Sequence, residues 1–376
     1  MKWRYGAVTT DLSSVLRPPS SVLCPHPRMG IALNLRRLRG LATAVALLVL
    51  AVVAPVAQAQ RSGSVQRDVS VERIEIRSQA IETFDPREAG RTNFGALTFR
   101  GGLILESDHR AFGGLSGLRV AADGRFLSVS DKGTWLRGRI VARNGRPIAI
   151  TDAEIAPILG ADGRPLRRRG WYDAEALAWD NGAAYVGIER VNQILRFDYA
   201  KDGLHARGQP IAVPPGVKTL PHNQGIECLA VAPAGTPLAG ALIALSERGL
   251  DARGNLLGFL IGPGGGTFTL KRSDEFDVSD CAFTPRGDLL VLERRFSWMS
   301  GLAMRIRGVP LAALKPGALA DGRQLIFADM GAQIDNMEGL SVHRATDGAL
   351  VLTVVSDDNF SPLQRTLLLQ FTLIGE

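Results

Sequence analysis

Histidine and cysteine are scarce in this chain, at five and three of 376 residues. Neither is spaced as a zinc-ligand set, so the common nitrogen- and sulfur-ligated metal motifs are excluded. Long amphipathic helical patterns are missing as well. "PLAALKPGALADG" offers one turn or a short helix, and "LGADGRPLRRRGWYD" reads as an irregular loop with a solvated basic run. The glycine-rich "GPGGGTF", Gly262 to Phe268, lacks the Lys and the Ser or Thr of a nucleotide-binding loop and reads as a turn.

A real excess of positive charge is also missing. The formal charge is +7, but residues 1–59 hold seven basic residues (Lys2, Arg4, Arg17, Arg28, Arg36, Arg37, Arg39) against Asp11, so the rest carries +1. A nucleic-acid partner thereby loses its compositional support. The same segment reads as a leader with an export signal: arginines, then "GLATAVALLVLAVVAPVAQA", then the small-x-small site Ala57-Gln58-Ala59. Met29 offers an alternative start. The apolar core Leu41–Val53 is short for a membrane span, so no stable span is expected after cleavage, and a periplasmic or secreted location is. Twin-arginine export has only the Arg36-Arg37 pair behind it.

What the chain does have is a repeat. "NMEGLSVH" (336–343) sets a carboxylate before a small residue and an apolar strand. The pattern recurs at Glu175 in "DAEALAWDNGAAYVGIER", Glu227 in "NQGIECLAVAP" and Asp280 in "DVSDCAFTPRGDLLVLERR", with Ser116 at the same place in "GGLSGLRVAADGRFLSVSDKG". The spacing of roughly 50 to 60 residues falls among propeller-type periods, and Asp-Gly, Asn-Gly or Arg-Gly between apolar runs is the hairpin signal.

Five units are visible. "FGALTFRGGLILES" and "RTLLLQFTL" carry strands without the signature and would form one composite blade joining the chain ends. We therefore expect an all-β, six-bladed β-propeller, with five or seven blades as alternatives. Residues 60–92 would be a linker and first strand, and 93–376 the propeller, a monomer. Cys228 and Cys281 follow in-register acids. Two small buried thiols are the favoured reading and a disulfide the alternative, because parallel positions on neighbouring repeats need not meet disulfide geometry.

On a propeller one repeated inner-strand position becomes a ring around the channel. Glu175, Glu227, Asp280 and Glu338 would converge with Ser116, and such a ring needs a cation, because burial and repulsion both raise carboxylate pKa values. Calcium, a hard cation with oxygen ligands, is the candidate, and no organic cofactor is expected. A second set follows one hairpin later: Asp131-Lys132, Glu189-Arg190, Glu247-Arg248, Glu293-Arg294-Arg295 and Asp357-Asp358.

These motifs, with "SDKG", "SDCAF", "LVLERRFS" and "VSDDNF…QRTLLLQF", resemble the phytase-like family described as having esterase-like activity of phytase, from about Phe94 to the C-terminal strands. The resemblance implies a propeller with acids at these positions and phosphoester hydrolysis. The function expected is an exported calcium-dependent hydrolase acting on a small anionic ester. Its metal ligands would come from Glu175, Glu227, Asp280, Glu338, Asp131 and Asp357. Its catalytic acids and bases would be Glu175, Glu227 and Glu338, and its substrate-binding bases Lys132, Arg190, Arg248, Arg294 and Arg295.

Two alternatives stand beside it: a calcium-dependent lactonase or carboxyl-ester hydrolase, which would need fewer bases near the metal, and a non-catalytic propeller binding a protein or glycan. A serine nucleophile is disfavoured, because Gly114-Leu115-Ser116-Gly117 lacks the second spacer of a nucleophile elbow. His222 and His109 read as loop histidines, the former near the channel mouth. Trp135, Trp171, Trp179, Phe296 and Trp298 read mostly as blade packing, with a pocket lining as the alternative.

Overall fold

The computed structural model describes residues 69–262 and 264–375, so the leader over 1–59 lies outside the described residues. Five sheets follow one another around the ring, each starting as an antiparallel meander from an inner strand outward, and two of them end on a short parallel strand, Leu159–Gly160 and Leu319–Ala320. The inner strands are Leu115–Val120, Ala174–Asp180, Ile226–Val231, Asp277–Phe283 and Asn336–Arg344, and each packs beside the next in a closed ring. They read as nearly continuous buried apolar runs, because a blade is covered on both faces by its neighbours. The hairpins fold where the turn chemistry allows. Asn181 and Gly182, both at positive φ (45° and 82°), turn Ala174–Asp180 into Ala183–Ile188.

The buried apolar residues fall into five clusters, one for each pair of adjacent blades. Leu127 and Val129 of blade 1, for example, meet Ala174 and Val186 of blade 2. Burying one Leu, Val or Phe side chain is worth about 1.5–3 kcal/mol, so these seams carry most of the favourable energy of the ring. Trp135 belongs to them, fully buried and edge-on to Phe197 at 5.1 Å. Trp179 and Trp298 do not, at 41% and 94% exposed.

There are five blades, not six. The two strands expected as a composite blade pair with each other, but as outer members of the fifth repeat's own sheet. Thr366–Leu373 pairs with Leu350–Asp357 on one side and with Leu97–Glu106 on the other. Leu97–Glu106 then pairs with Arg77–Ile81. The N-terminal segment supplies the two outermost strands of the last repeat's sheet, so the two ends of the chain are joined in one blade and the ring is closed. The segment expected as a linker and first strand holds two strands that join different blades: besides Arg77–Ile81, Glu72–Arg73 pairs with the outer strand Arg146–Pro157 of blade 1. Phe84 anchors the closure against Phe94, Phe99 and Phe371, with ring centroids 4.9–5.5 Å apart.

"PLAALKPGALADG" holds a 3-10 turn, Leu311–Ala313, and a two-residue strand, Leu319–Ala320, on the edge of blade 3. Among the described residues no helix is long and apolar enough to cross a membrane.

Candidate metal and active site

The repeated acids sit on β-bulges. In blade 2, Ala174 and Ala176 pair with Ile188 and Gly187, leaving Glu175 as the extra residue. Glu227 is the extra residue between Ile226 and Cys228, and Glu338 between Met337 and Gly339. In blade 1 the irregularity from Leu115 to Leu118 contains Ser116. A bulge re-aims a side chain out of the pleat, which lets these carboxylates face the channel although the strands carrying them are packed on both sides. The small residue after each acid is a packing requirement. A Cβ on Gly117 would stand 2.6 Å from the Leu177 nitrogen, and one on Gly339 2.7 Å from the Ser116 carbonyl oxygen.

The bulges open into a cavity of about 780 Å³ at the channel mouth. Nine carboxylates line it: Asp131, Asp173, Glu175, Glu189, Glu227, Glu247, Asp335, Glu338 and Asp357. Two guanidinium groups, Arg294 and Arg365, face them, and no His or Cys is among the lining residues. Glu189, Glu227 and Glu247 each offer a carboxylate oxygen, all within 4.8 Å of one another. That is about twice a calcium–oxygen bond of 2.3–2.6 Å, so one ion can reach all three, and an oxygen-only donor set suits a hard cation. Ser116 Oγ donates to Glu175 Oε2 at 2.6 Å, Asn336 Nδ2 to Glu338 Oε1 at 2.8 Å, and the Gly225 amide to Glu189 Oε1 at 2.8 Å. Arg294 donates from Nη2 to Glu247 Oε1 at 3.1 Å and holds Nε 3.0 Å from Glu338 Oε1.

Burial dominates the titration of these groups and raises it. Glu338 is pushed up to about 8, burial outweighing the opposing Arg294. Glu189 and Asp357 are each pushed up to about 7 by burial, and neighbouring acids add to the effect. Asp131 rises to about 6 for the same reason. Glu175 and Glu227 lie well above the usual range through burial; the Ser116 hydroxyl opposes the rise at Glu175 while Glu338 and Glu189 add to it, and Glu175 and Glu189 add to the rise at Glu227. Burial acts to lower Arg294, but Glu338, Glu247, Glu227 and Glu175 outweigh it, so the guanidinium stays charged.

A profile of the phytase-like family, described as esterase-like activity of phytase, matches residues 110–360. The chain belongs to this family. No curated protein matches it. Among solved structures it is similar to glutaminyl cyclase from Myxococcus xanthus, at 13% identity over 70% of this chain and 92% of that one, with a TM-score of 0.38. It is also similar to endo-arabinase from Bacteroides thetaiotaomicron VPI-5482, at 12% identity over 71% and 95%, TM-score 0.42. A third is the PQQ-bound form of aldose sugar dehydrogenase from Streptomyces coelicolor, at 14% over 80% and 98%, TM-score 0.33. Likeness at this level transfers neither chemistry nor ligands to this phytase-like chain.

Of the residues expected at the site, Glu175, Glu227, Glu338, Asp131, Asp357 and Arg294 line the one cavity. Asp280 does not. In blade 4 the bulge falls one residue earlier, between Val278 and Asp280, so Asp280 pairs regularly with Leu292. Its fully buried carboxylate accepts from the Leu340 and Cys281 amides, both at 2.7 Å, and meets Arg119 Nη1 at 3.2 Å. Burial raises it to about 6 against these partners. The same offset turns Glu293 into the blade, between Arg305 and Arg307 (2.6 Å to each), and brings Arg294 to the mouth.

Four expected substrate-binding bases lie outside the cavity lining. Arg190 stacks on Tyr172, 4.5 Å from its ring centre, and Arg248 is ion-paired with Asp277. Arg295 stands over Phe276 and donates to the Asp274 carbonyl at 3.1 Å, while Lys132 covers Phe360. On the strands Leu242–Leu250 and Leu289–Ser297 consecutive residues point to opposite faces, which parts Arg248 from Glu247 and Arg295 from Arg294; Arg190 lies on the 3-10 turn Glu189–Val191 and Lys132 on the turn after Arg125–Ser130.

Cys228 and Cys281 form a disulfide, overturning the favoured reading of two thiols. Inner strands converge near the axis and bring the two Cα atoms to 5.2 Å, inside the range a disulfide spans. Arg119 was not anticipated as a functional or structural centre. Its guanidinium also donates to the carbonyls of Leu340 (2.9 Å), Leu229 (2.6 Å) and Cys281 (3.0 Å), joining the inner strands of blades 1, 3, 4 and 5. The available signal was one Arg in "GLRV", where the other repeats have Ala, Phe or Ser. Arg365 also escaped notice; it donates to Gln333 Oε1 at 2.9 Å at the cavity rim.

Proposed function

We propose that this phytase-like propeller is a calcium-dependent ester hydrolase acting on phosphate esters at the acidic mouth. The observation that carries the reading is the Glu189, Glu227 and Glu247 triad, whose oxygens lie close enough to share an ion in a cavity open to substrate. When bound, such an ion supplies Lewis-acid polarisation of the ester oxygen. Arg294, held by Glu247 and Glu338, presents its remaining N–H groups to an anionic ester oxygen. Glu338, with its pKa near 8, keeps a proton at neutral pH and can give it to the leaving oxygen. Glu175, oriented by the Ser116 hydroxyl, would act as the base for the attacking water in its ionised form, which a cation held beside it would favour. We place the protein outside the cytoplasm, in the periplasm or secreted; the Cys228–Cys281 disulfide supports this.

The test is hydrolysis of p-nitrophenyl phosphate, bis-p-nitrophenyl phosphate and p-nitrophenyl acetate, with calcium and after chelation, beside Glu227→Gln. Phosphate-ester turnover that requires calcium and drops at least about 100-fold in the variant is expected. Turnover indifferent to chelator overturns the reading. One observation favours a second reading, a calcium-dependent carboxyl-ester or lactone hydrolase: only two guanidinium groups face nine carboxylates. Turnover of the acetate alone would select it. No turnover, with calcium still raising the melting temperature, would select a binding propeller.

A further inference from the structure

The triad carboxylates come from blades 2 and 3. Blades 4 and 5 supply both guanidinium groups and the carboxylates of Asp335, Glu338 and Asp357, and they also supply every large apolar side chain of the lining: Phe296, Leu302, Met330, Ile334 and Leu363. Phe296 and Met330 are 60% and 62% exposed, and the three most exposed large apolar side chains of the described residues, Met299 (98%), Trp298 (94%) and Leu363 (92%), lie on turns of the same two blades. Phe296 and Trp298 stack edge to face at 5.4 Å on the hairpin that joins Leu289–Ser297 to Gly301–Val309. Apolar surface gathered on one side of a polar cavity marks a binding surface, whereas scattered exposed residues would not.

We infer that the natural substrate is amphipathic: a phosphate ester of an alcohol bearing a hydrocarbon group of several carbons, the phosphate beside Arg294 and the hydrocarbon along the blade 4 and 5 wall. This deepens the hydrolase reading and rests on it. A polyanionic substrate is disfavoured, because nine carboxylates face only two guanidinium groups in the cavity. An amphipathic ester fits the lining, with one anionic centre for Arg294 and apolar carbons for the apolar side chains of blades 4 and 5. Hydrolysis forms a bond from water oxygen to phosphorus and breaks the phosphorus–alkoxy bond. The alcohol leaves with the proton of Glu338, and the water proton passes to Glu175.

The experiment compares ethyl phosphate with octyl phosphate, below its micellar concentration, by release of inorganic phosphate from the calcium-loaded full chain. The two leaving alcohols have nearly the same intrinsic reactivity, so a difference reports binding of the chain. Burial of a methylene is worth up to about 4-fold, and a half-open wall over six methylenes should give at least about 30-fold in kcat/KM for octyl phosphate. In Leu363→Ser and Phe296→Ser the octyl-to-ethyl ratio should fall to about 3 or below; Leu363 is an exposed loop residue, so loss of folding does not confuse that result. Equal kcat/KM for the two esters overturns the inference and leaves the hydrolase reading standing. Turnover of neither ester overturns the hydrolase reading, and competition between ethylphosphonate and octylphosphonate for binding then decides: equal affinity overturns the inference, a preference of about 30-fold for octylphosphonate upholds it.

Discussion

Asp280 and Glu227 each precede a half-cystine of one disulfide and match in the sequence repeat, yet their register and surroundings are opposite. Asp280 is fully buried with a guanidinium of its own and two backbone amides. Glu227 is nearly as buried, at 5% exposed, and faces Glu175, Glu189 and Glu247. Between the inner strands Asp280 is answered by Arg119, and inside blade 4 Glu293 is answered by Arg305 and Arg307; at the mouth nine carboxylates share Arg294 and Arg365. Buried charge by itself therefore does not mark function in this ring. Uncompensated charge facing an open cavity does, because it persists only where a ligand or a retained proton answers it.

The sharpest way to break this comparison is to remove the compensation. Arg119→Ala leaves Asp280 buried without a cation and deprives the Leu229, Leu340 and Cys281 carbonyls of their donor. A loss of roughly 3–5 kcal/mol in guanidinium unfolding is expected, because one partner of a buried pair is stranded. Glu227→Gln should do the reverse in metal-free protein at pH 8, holding or slightly raising stability. Equal destabilisation by both would show that the mouth acids are as structural as Asp280.

Next in size is the disulfide, which links the strand of Glu227 to that of Asp280 across a separation of 53 residues. Loop-closure entropy puts its removal at about 4 kcal/mol, and 2–4 is typical. Cys228→Ala with Cys281→Ala should lower the unfolding midpoint by that amount and weaken calcium binding, since Glu227 then loses its fixed neighbour. A change below about 1 kcal/mol would mean that blade packing alone positions the mouth.

How much of this was readable in advance follows from where the information lies. The repeat, the hairpin turns and the ring of acids are local patterns, and they led to the propeller and to Glu175, Glu227 and Glu338. The blade count depends on which sheet Leu97–Glu106 joins, a pairing between opposite ends of the chain that no local signature records. Asp280 was misplaced by one residue of bulge position. "SD" in blade 4 offers two polar residues where the other repeats offer one, and only the strand register decides between them. Arg248 was misread because adjacency was taken for proximity, although strand alternation argues against it; Arg190 was misread because the chain leaves the strand there for the 3-10 turn Glu189–Val191. Glu189 and Glu247 were visible as a second set; that they meet Glu227 needed the convergence of two blades.

The smallest expected effect is on the pH dependence of metal-free stability, and its sign separates the two regions. Glu338 and Asp357 titrate near 8 and 7 in the folded protein, through burial, above the unfolded carboxylate range. Between those limits the folded state holds protons that the unfolded state has lost, so their contribution is fully present below about pH 4.5 and is lost as pH rises through 7 and 8. One pKa unit corresponds to about 1.4 kcal/mol. Water entering the open mouth relaxes most of the displacement, so unfolding free energy in chelator should fall by on the order of 1–2 kcal/mol from pH 6 to 9. Calcium should flatten the profile, and Glu338→Gln should remove part of the slope. A metal-free stability that rises across this window would mean that the mouth carboxylates are already compensated, as Asp280 is by Arg119, and the distinction between the two regions would fall with it.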